Sequence, residues 1–342
     1  MTELRRGAIG DRWVIVAPMR GRRPSDLIST GEKKKELAAD KCPFCPGNEN
    51  RTPPEIYRLP RSDGSWQVRV IPNKFPALGD ESDGTARFRT DGLYQHMAGQ
   101  GTHEVIIESP DHLKSIPDLP LTSVENIIDT FHIRLQEIRK DPRHRFVVLF
   151  ENHGSKAGAS LAHPHAQIIA TPVVPPTVKA ELQQTKMHYL QEKKCLFCEL
   201  LKGELESGER LIEQTDEYVV FAPYASCFPF EITITPRQHV HSFTMMSTDQ
   251  RKKLAAVLKG TLHLLKTSLE DPPYNLILQD APNVSISSHT PDYLRSLEHS
   301  YHWRIAIIPR LTTMAGLEFA TGFCVNPVSP EEAARFLKKQ AI

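Results

Sequence analysis

The chain has 342 residues, 39% of them hydrophobic and 24% charged, and its 42 basic and 41 acidic side chains leave a formal net charge of +1. That apolar fraction excludes a disordered chain, and the charge balance excludes nucleic acid or an anionic membrane as the main partner. No apolar run reaches the ~18 residues of a membrane span, and the N-terminus lacks the apolar core of a signal peptide, so the chain is predicted to be cytoplasmic.

Taken in order, the chain repeats itself. A first cysteine pair, Cys42-Pro-Phe-Cys45, sits between two polar stretches, 22–41 and 79–100, that are predicted to run as loops. A β-branched strand beginning at Glu104 then ends in Ser109-Pro-Asp-His112. Ile127, Ile128, Phe131, Leu135 and Ile138 recur at helical spacing, predicting a helix over 124–138 that Asp141-Pro142 stops. A strand over 146–150 follows, and then a strand over 162–169 carrying His163 and His165.

After Pro172-Val-Val-Pro-Pro176 and a polar helical stretch over 178–194, the same order returns. It comprises Cys195-Leu-Phe-Cys198, a strand from Glu231 leading to His239, a helix over 250–269 stopped at Asp271-Pro272, a strand over 275–279, and a strand over 300–307 with His302. The predicted fold class is α+β, with two tandem units, 1–177 and 178–342, each a mainly antiparallel sheet with a covering helix. In the last strand His302 is matched with His165, which puts Arg304 at Gln167 and Ser300 at His163. The second unit is therefore expected to be a structural half.

In a cytoplasmic chain a disulfide framework is disfavoured, so the two C-x-x-C units are read as metal knuckles rather than redox motifs. A redox pair would open a helix of a thioredoxin-like unit. Cys227 and Cys324 are single and read as small buried hydrophobes. Tetrahedral zinc needs four N or S ligands. The candidate sets are Cys42, Cys45, His112 and His163, and Cys195, Cys198, His239 and His302, with His103 and His241 as alternative ligands. Both sites would be closed and structural.

The stretch from Asn152 to Gln167 carries the chemistry. Its Gly158, Ser160 and neighbouring alanines let backbone N–H groups approach a phosphate. Along a strand His163, His165 and Gln167 share one face. One imidazole can bind metal while the next, His165, attacks phosphorus and carries a nucleotidyl group. The Gln167 amide can donate to the phosphate oxygens. A His-x-His pair could instead supply two metal ligands, but the Gly/Ser loop and the trailing Gln favour a nucleophile.

At these residues the chain resembles the galactose-1-phosphate uridylyltransferase family of the histidine-triad superfamily. The similarity extends over Trp13-Val-Ile-Val-Ala-Pro-Met-Arg-Gly-Arg-Arg-Pro24, Cys42 to Cys45, Ile71-Pro-Asn-Lys-Phe-Pro-Ala77, Ser109 to His112, Asn152 to Gln167 and Pro229-Phe-Glu-Ile232. The resemblance implies two histidine-triad-like units and His165 as nucleophile. It implies zinc on the first Cys/His set, nucleotide contacts from Arg20, Arg23 and Asn73, and phosphate contacts from Asn152, Ser160 and Gln167. The implied reaction is exchange of a nucleoside monophosphate between a nucleoside diphosphate hexose and a hexose 1-phosphate, UDP-glucose plus galactose 1-phosphate in the type reaction. A homodimer is compatible with it.

Three departures stand out. The second metal set is Cys/His where well-known bacterial members use a Glu and several His. Ala159 stands where those enzymes have a Cys, and Cys324 where they place a Glu that holds hexose hydroxyls. With Pro172 to Pro176, these features look closer to plant relatives acting on ADP-glucose, adenylyl transferases or phosphorylases. Two other readings are a histidine-triad hydrolase, disfavoured because Gln167 replaces its third His, and a zinc adaptor, which leaves the Asn152 to Gln167 run unexplained.

Overall fold

The computed structural model of the chain describes residues 2–10, 12–18, 38–79, 88–283 and 291–340; Arg20 and Arg23 lie outside the described residues. The chain opens with β1 (Glu3–Arg6) and β2 (Trp13–Val16). The first repeat contributes β3 (Tyr57–Pro60), β4 (Trp66–Pro72), a hairpin of β5 (Arg89–Asp91) and β6 (Tyr94–His96), β7 (Thr102–Ile107), α1 (Leu121–Arg139), β8 (Phe146–His153) and β9 (His165–Thr171). Helix α2 (Pro176–Glu192) leads into the second, with α3 (Leu196–Ser207), β10 (Leu211–Gln214), β11 (Tyr218–Phe221), β12 (Ile232–Pro236), α4 (Thr248–Ser268), β13 (Tyr274–Gln279), α5 (Leu297–Ser300) and β14 (Arg304–Pro309). Helix α6 (Gly316–Thr321), β15 (Cys324–Asn326) and α7 (Pro330–Gln340) close the chain, and β15 pairs in parallel with β2.

The β-branched runs of both repeats pair into one ten-stranded sheet of order β10-β11-β12-β14-β13-β8-β9-β7-β4-β3. Read outward from its centre, the two halves mirror each other, β8-β9-β7-β4-β3 against β13-β14-β12-β11-β10. They join through the antiparallel pair β8–β13, which sets Asn152 opposite Asn275. The fold is α+β with antiparallel sheets.

Side chains alternate across a strand, and this divides the sheet into two chemically different faces. On β9, Ala166, Ile168 and Ala170 are fully buried and belong to one core with Ile127, Phe131 and Leu135 of α1 and Leu254, Leu258 and Leu262 of α4. That core continues across both repeats. Truncating a member such as Leu135 to Ala costs about 2–5 kcal/mol through lost burial and the cavity left behind. His165 and Gln167 point to the other face. Helix α1 is tied to the sheet by a bidentate pair, in which Arg134 donates from Nε and Nη2 to the buried Glu104 at 2.9 and 2.8 Å.

Several elements differ from the sequence reading. Helix α4 starts at Thr248 rather than 250, because Ser247 and Gln250 form a reciprocal capping box. The stretch 79–100 contains the β5–β6 hairpin. Cys227 and Cys324 are not separate buried hydrophobes: they form a disulfide with Cα atoms 5.2 Å apart, brought together because β15 returns to β2 beside the loop before β12. The second cysteine pair does open a helix, α3, with Cys195 at its N-cap.

Candidate active site and metal centres

His163 and His302 each lie two residues before a strand, β9 and β14 respectively, so both rings can turn back toward a cysteine pair instead of joining the alternation. In the first repeat Cys42, Cys45, His112 and His163 converge, and in the second Cys195, Cys198, His239 and His302; within each group the ligand atoms lie within 4.8 Å of one another. In the first group Cys45 Sγ is 3.2 Å from His112 Nδ1 and 3.5 Å from His163 Nδ1, and Cys42 Sγ is 3.6 Å from His163 Nδ1. In the second, Cys198 Sγ is 3.3 Å from His239 Nδ1 and 3.5 Å from His302 Nδ1. Zn–S and Zn–N bond lengths imply tetrahedral edges of roughly 3.3–3.8 Å, so the donor sets fit a tetrahedral ion.

The imidazole pairs meet edge to face alike in the two groups, at 5.5 Å and 81° and at 5.6 Å and 82°. The Nε2–H of His163 donates to Ser109 O at 2.8 Å, and that of His239 to Glu298 O at 2.8 Å, leaving each Nδ1 lone pair for a metal. Burial lowers His163 to about 4, so its ring is neutral, the ligating form. Burial and the neighbouring Cys42 push the Cys45 thiol up to about 11, a cost that a cation between the two sulfurs would reverse. The alternative ligands are elsewhere: among the described residues neither His103 nor His241 belongs to a group.

The repeat correspondence of the last strand is corrected by this geometry. His302 joins a metal group as His163 does, so Arg304, not His302, occupies the place of His165. The phenylalanines of the two C-x-F-C units agree: Phe44 meets the His165 ring edge-on at 5.2 Å, and Phe197 lies under the Arg304 guanidinium at 4.6 Å. Arg304 Nη2 donates to both oxygens of Glu181 on α2, at 3.1 and 3.0 Å, a part-buried ion pair where the first repeat has an imidazole.

His165 is 7% exposed. Its Nδ1–H donates to the His163 carbonyl at 2.8 Å, which fixes the tautomer and leaves Nε2 as a free lone pair. Burial lowers its proton affinity, keeping the ring neutral and nucleophilic. Gln167 follows on the same face. In the β8–β9 register Phe150 opposes Gln167 and Glu151 opposes Ala166. Continued by one residue, that register sets Asn152 beside His165.

The loop after β8 turns sharply through Gly154 (φ +78°) and Gly158 (φ +95°), where a side chain would be strained. A Cβ at Gly158 would sit 3.7 Å from Asn152 Nδ2, so the loop backbone passes close to that amide. Ser160 is exposed on the same loop. Asn73, after β4, approaches Gln167 Oε1 with its Nδ2 at 3.5 Å. The structure thus brings together Asn73, Asn152, Gly158, His165 and Gln167. Two neighbours join the site that the sequence does not place there: His103, which contacts Gln167, and Asn275 of the second repeat, which contacts Asn152. The sequence marks His103 only as an alternative ligand, and the repeat gives no signal for Asn275.

Such a face offers a neutral imidazole nucleophile, amide donors and a small-residue loop around one space, with no carboxylate among these groups. It suits attack on a phosphorus centre bearing negative charge.

Comparison with known proteins agrees over the whole length. Residues 2–175 match the family model described as galactose-1-phosphate uridyl transferase, N-terminal domain, and residues 181–302 match that of the C-terminal domain. An ADP-glucose phosphorylase of Arabidopsis thaliana is 33% identical over 99% of this chain and 93% of its own length. A galactose-1-phosphate uridylyltransferase of Thermotoga maritima is 28% identical over 100% of this chain and 99% of its own. Among solved structures, an ADP-glucose phosphorylase from Arabidopsis thaliana with bound ADP-glucose superposes with a TM-score of 0.83 at 32% identity, covering 99% of each chain.

Proposed function

The chain belongs to the galactose-1-phosphate uridyl transferase family, and from that premise we propose that it is a nucleotidylyltransferase that moves a nucleoside monophosphate from a nucleoside diphosphate hexose to a hexose 1-phosphate or to phosphate, through a covalent nucleotidyl-His165. The observation that carries this reading is the neutral His165 ring, held by its Nδ1–H on the His163 carbonyl with Nε2 free beside two amide side chains.

In the first half-reaction Nε2 attacks the α-phosphorus. An N–P bond forms, the P–O bond to the β-phosphate breaks, and hexose 1-phosphate leaves with its bridging oxygen. The Nδ1–H remains on the His163 carbonyl while the ring carries positive charge. In the second, a phosphate oxygen of the acceptor attacks the same phosphorus and the N–P bond breaks. Amide donors of Gln167 and Asn152, the Ser160 hydroxyl and backbone N–H groups near Gly158 neutralise the charge on the phosphoryl oxygens. Asn73 contributes to holding the nucleotide, as do Arg20 and Arg23.

The two Cys/His groups are read as structural zinc sites. Thiolate and imidazole ligands favour zinc over harder-ligand metals. A zinc at Cys42, Cys45, His112 and His163 would stiffen the turn that aims His165. The chain divides at about 177 into two histidine-triad-like units, of which only the first reacts. A homodimer is supported by the β5–β6 hairpin, which carries Leu93, 97% exposed, between the exposed Phe88 and Tyr94. No helix among the described residues is long and apolar enough to cross a membrane; the reduced cysteines that both clusters require favour a cytoplasmic location, and the Cys227–Cys324 disulfide counts against it.

A second reading, an adenylyl donor with phosphate as acceptor, is favoured by Cys324. It is buried in a disulfide and so offers no group to hexose hydroxyls at the position where a hexose-binding Glu is expected. Half-reaction exchange tests both readings. Labelled glucose 1-phosphate should enter UDP-glucose or ADP-glucose with no second substrate present, and the faster donor identifies the base. Absence of exchange with both donors contradicts the proposal.

A further inference from the structure

The two amide side chains next to His165 can each present either an NH₂ donor or a carbonyl oxygen to the reacting phosphate. Only the donor is useful there, since an amide oxygen would repel the phosphoryl oxygens. Each orientation is set by a chain of contacts anchored on a backbone group that can act in only one way.

For Gln167 the anchor is Ala77. Its backbone N–H donates to His103 Nδ1 at 3.1 Å, so that nitrogen accepts and the proton of the neutral ring sits on Nε2. His103 Nε2–H then donates to Gln167 Oε1 at 2.9 Å. The Phe75 N–H donates to Asn73 Oδ1 at 2.9 Å, so the Asn73 NH₂ faces the His103–Gln167 contact, 3.0 Å from His103 Nε2 and 3.5 Å from Gln167 Oε1. With its oxygen engaged by His103, the Gln167 NH₂ is the part left for substrate.

For Asn152 the anchor is the carbonyl of Ala157, which can only accept. Asn275 Nδ2 donates to it at 2.8 Å and, with its second hydrogen, to Asn152 Oδ1 at 2.8 Å. Asn152 therefore presents its NH₂ toward Gly158 and the phosphate loop. Asn275 lies on β13, opposite Asn152 across the junction between repeats.

We infer that His103 and Asn275 are positioning residues that hold the Gln167 and Asn152 amides with their NH₂ groups toward the reacting phosphate. The inference rests on the proposed nucleotidyl-His165 reaction and deepens it. It gives the unreactive second repeat a part in catalysis: its central strand braces the phosphate loop of the first.

Double-mutant cycles on single-turnover nucleotidylation of His165 test it. Loss of an oriented donor costs on the order of 10²–10³ in rate when the donor is deleted, and loss of its lock should cost about 10-fold or more. His103→Ala should lower kcat by that factor with little change in KM for the donor, and His103→Gln, which keeps a donor at the Nε2 position, should recover most of it. Asn275→Ala should behave likewise. Asn275→Asp, which replaces the donor by an acceptor in the same shape, should cost more. In a Gln167→Ala background His103→Ala should have no further effect, and the same holds for Asn275→Ala in an Asn152→Ala background. Equal losses in both backgrounds, or losses confined to KM, overturn the inference while the His165 reaction stands. A wild type that takes no nucleotide from any nucleotide sugar removes the premise and the inference together.

Discussion

Replacing Glu151 by Gln should change how stability depends on pH. Glu151 and Glu108 are buried side by side on the helix-facing side of the sheet, 2% and 1% exposed. Among the described residues neither Glu108 oxygen has a hydrogen-bond partner, and Glu151 has one, accepting at Oε1 from the Tyr274 hydroxyl at 3.3 Å. Burial raises both carboxyls. Glu151 stands at about 7, with the His153 charge and the Tyr274 hydrogen bond only partly opposing burial. For Glu108 the Glu151 charge adds to burial.

The unfolded value is 4.5, so between pH 4.5 and 7 the folded state binds the extra proton and stability falls as pH rises. At 1.36 kcal/mol per unit, the loss is about 3 kcal/mol across that window for Glu151. Gln cannot ionise and escapes it. Urea unfolding at pH 5 and pH 8 should show Glu151→Gln gaining about 2–3 kcal/mol on wild type between the two, since pH 5 already lies inside the window; metal loss in acid is common to both proteins and cancels, and the replacement also removes the charge that raises Glu108. A difference that is flat with pH, or that moves in favour of wild type at pH 8, refutes the reasoning.

The two metal groups should differ in lability. Cys198 and His239 are partly exposed, whereas three of the four residues of the first group are buried, so a chromogenic chelator should take one equivalent of zinc per chain quickly and a second slowly, and Cys198→Ser should abolish the fast phase. Glu181→Ala strands the part-buried Arg304 guanidinium and should cost about 1.5–3 kcal/mol in urea unfolding, while the double replacement Glu181→Leu/Arg304→Met should cost less, because an ion pair taken largely out of water is worth little over an apolar one.

Much of this architecture is legible in the sequence because a repeat states everything twice. The order of cysteine pair, strand, histidine, helix, strand and histidine places α1, α4 and both four-residue Cys/His groups, and each half repeats the other. What escaped has identifiable causes. The Ser247-Thr-Asp-Gln250 capping box is a local signal that apolar periodicity does not report. Matching His302 with His165 follows spacing within one strand; only the convergence of four Cys and His side chains shows that His163 is its counterpart and that Arg304 stands at the place of His165. The pairing of Cys227 with Cys324 depends on the C-terminus returning to β2, a parallel contact between the two ends of the chain that no local pattern encodes. Asn275 is one polar residue at the start of an apolar strand. Its meaning arises from β13 lying beside β8, and sequence periodicity does not specify the order of strands in a sheet.

The central claim is that His165 carries a nucleotidyl group between two substrates. Acid-sparing mass spectrometry of the protein after incubation with UDP-glucose, and separately with ADP-glucose, tests it most directly. The account predicts a mass gain of one uridylyl or one adenylyl group per chain, carried on the peptide containing His165, discharged by added hexose 1-phosphate or phosphate, and absent from His165→Ala. An unmodified wild type with both donors, or a modification that persists in His165→Ala, would contradict it.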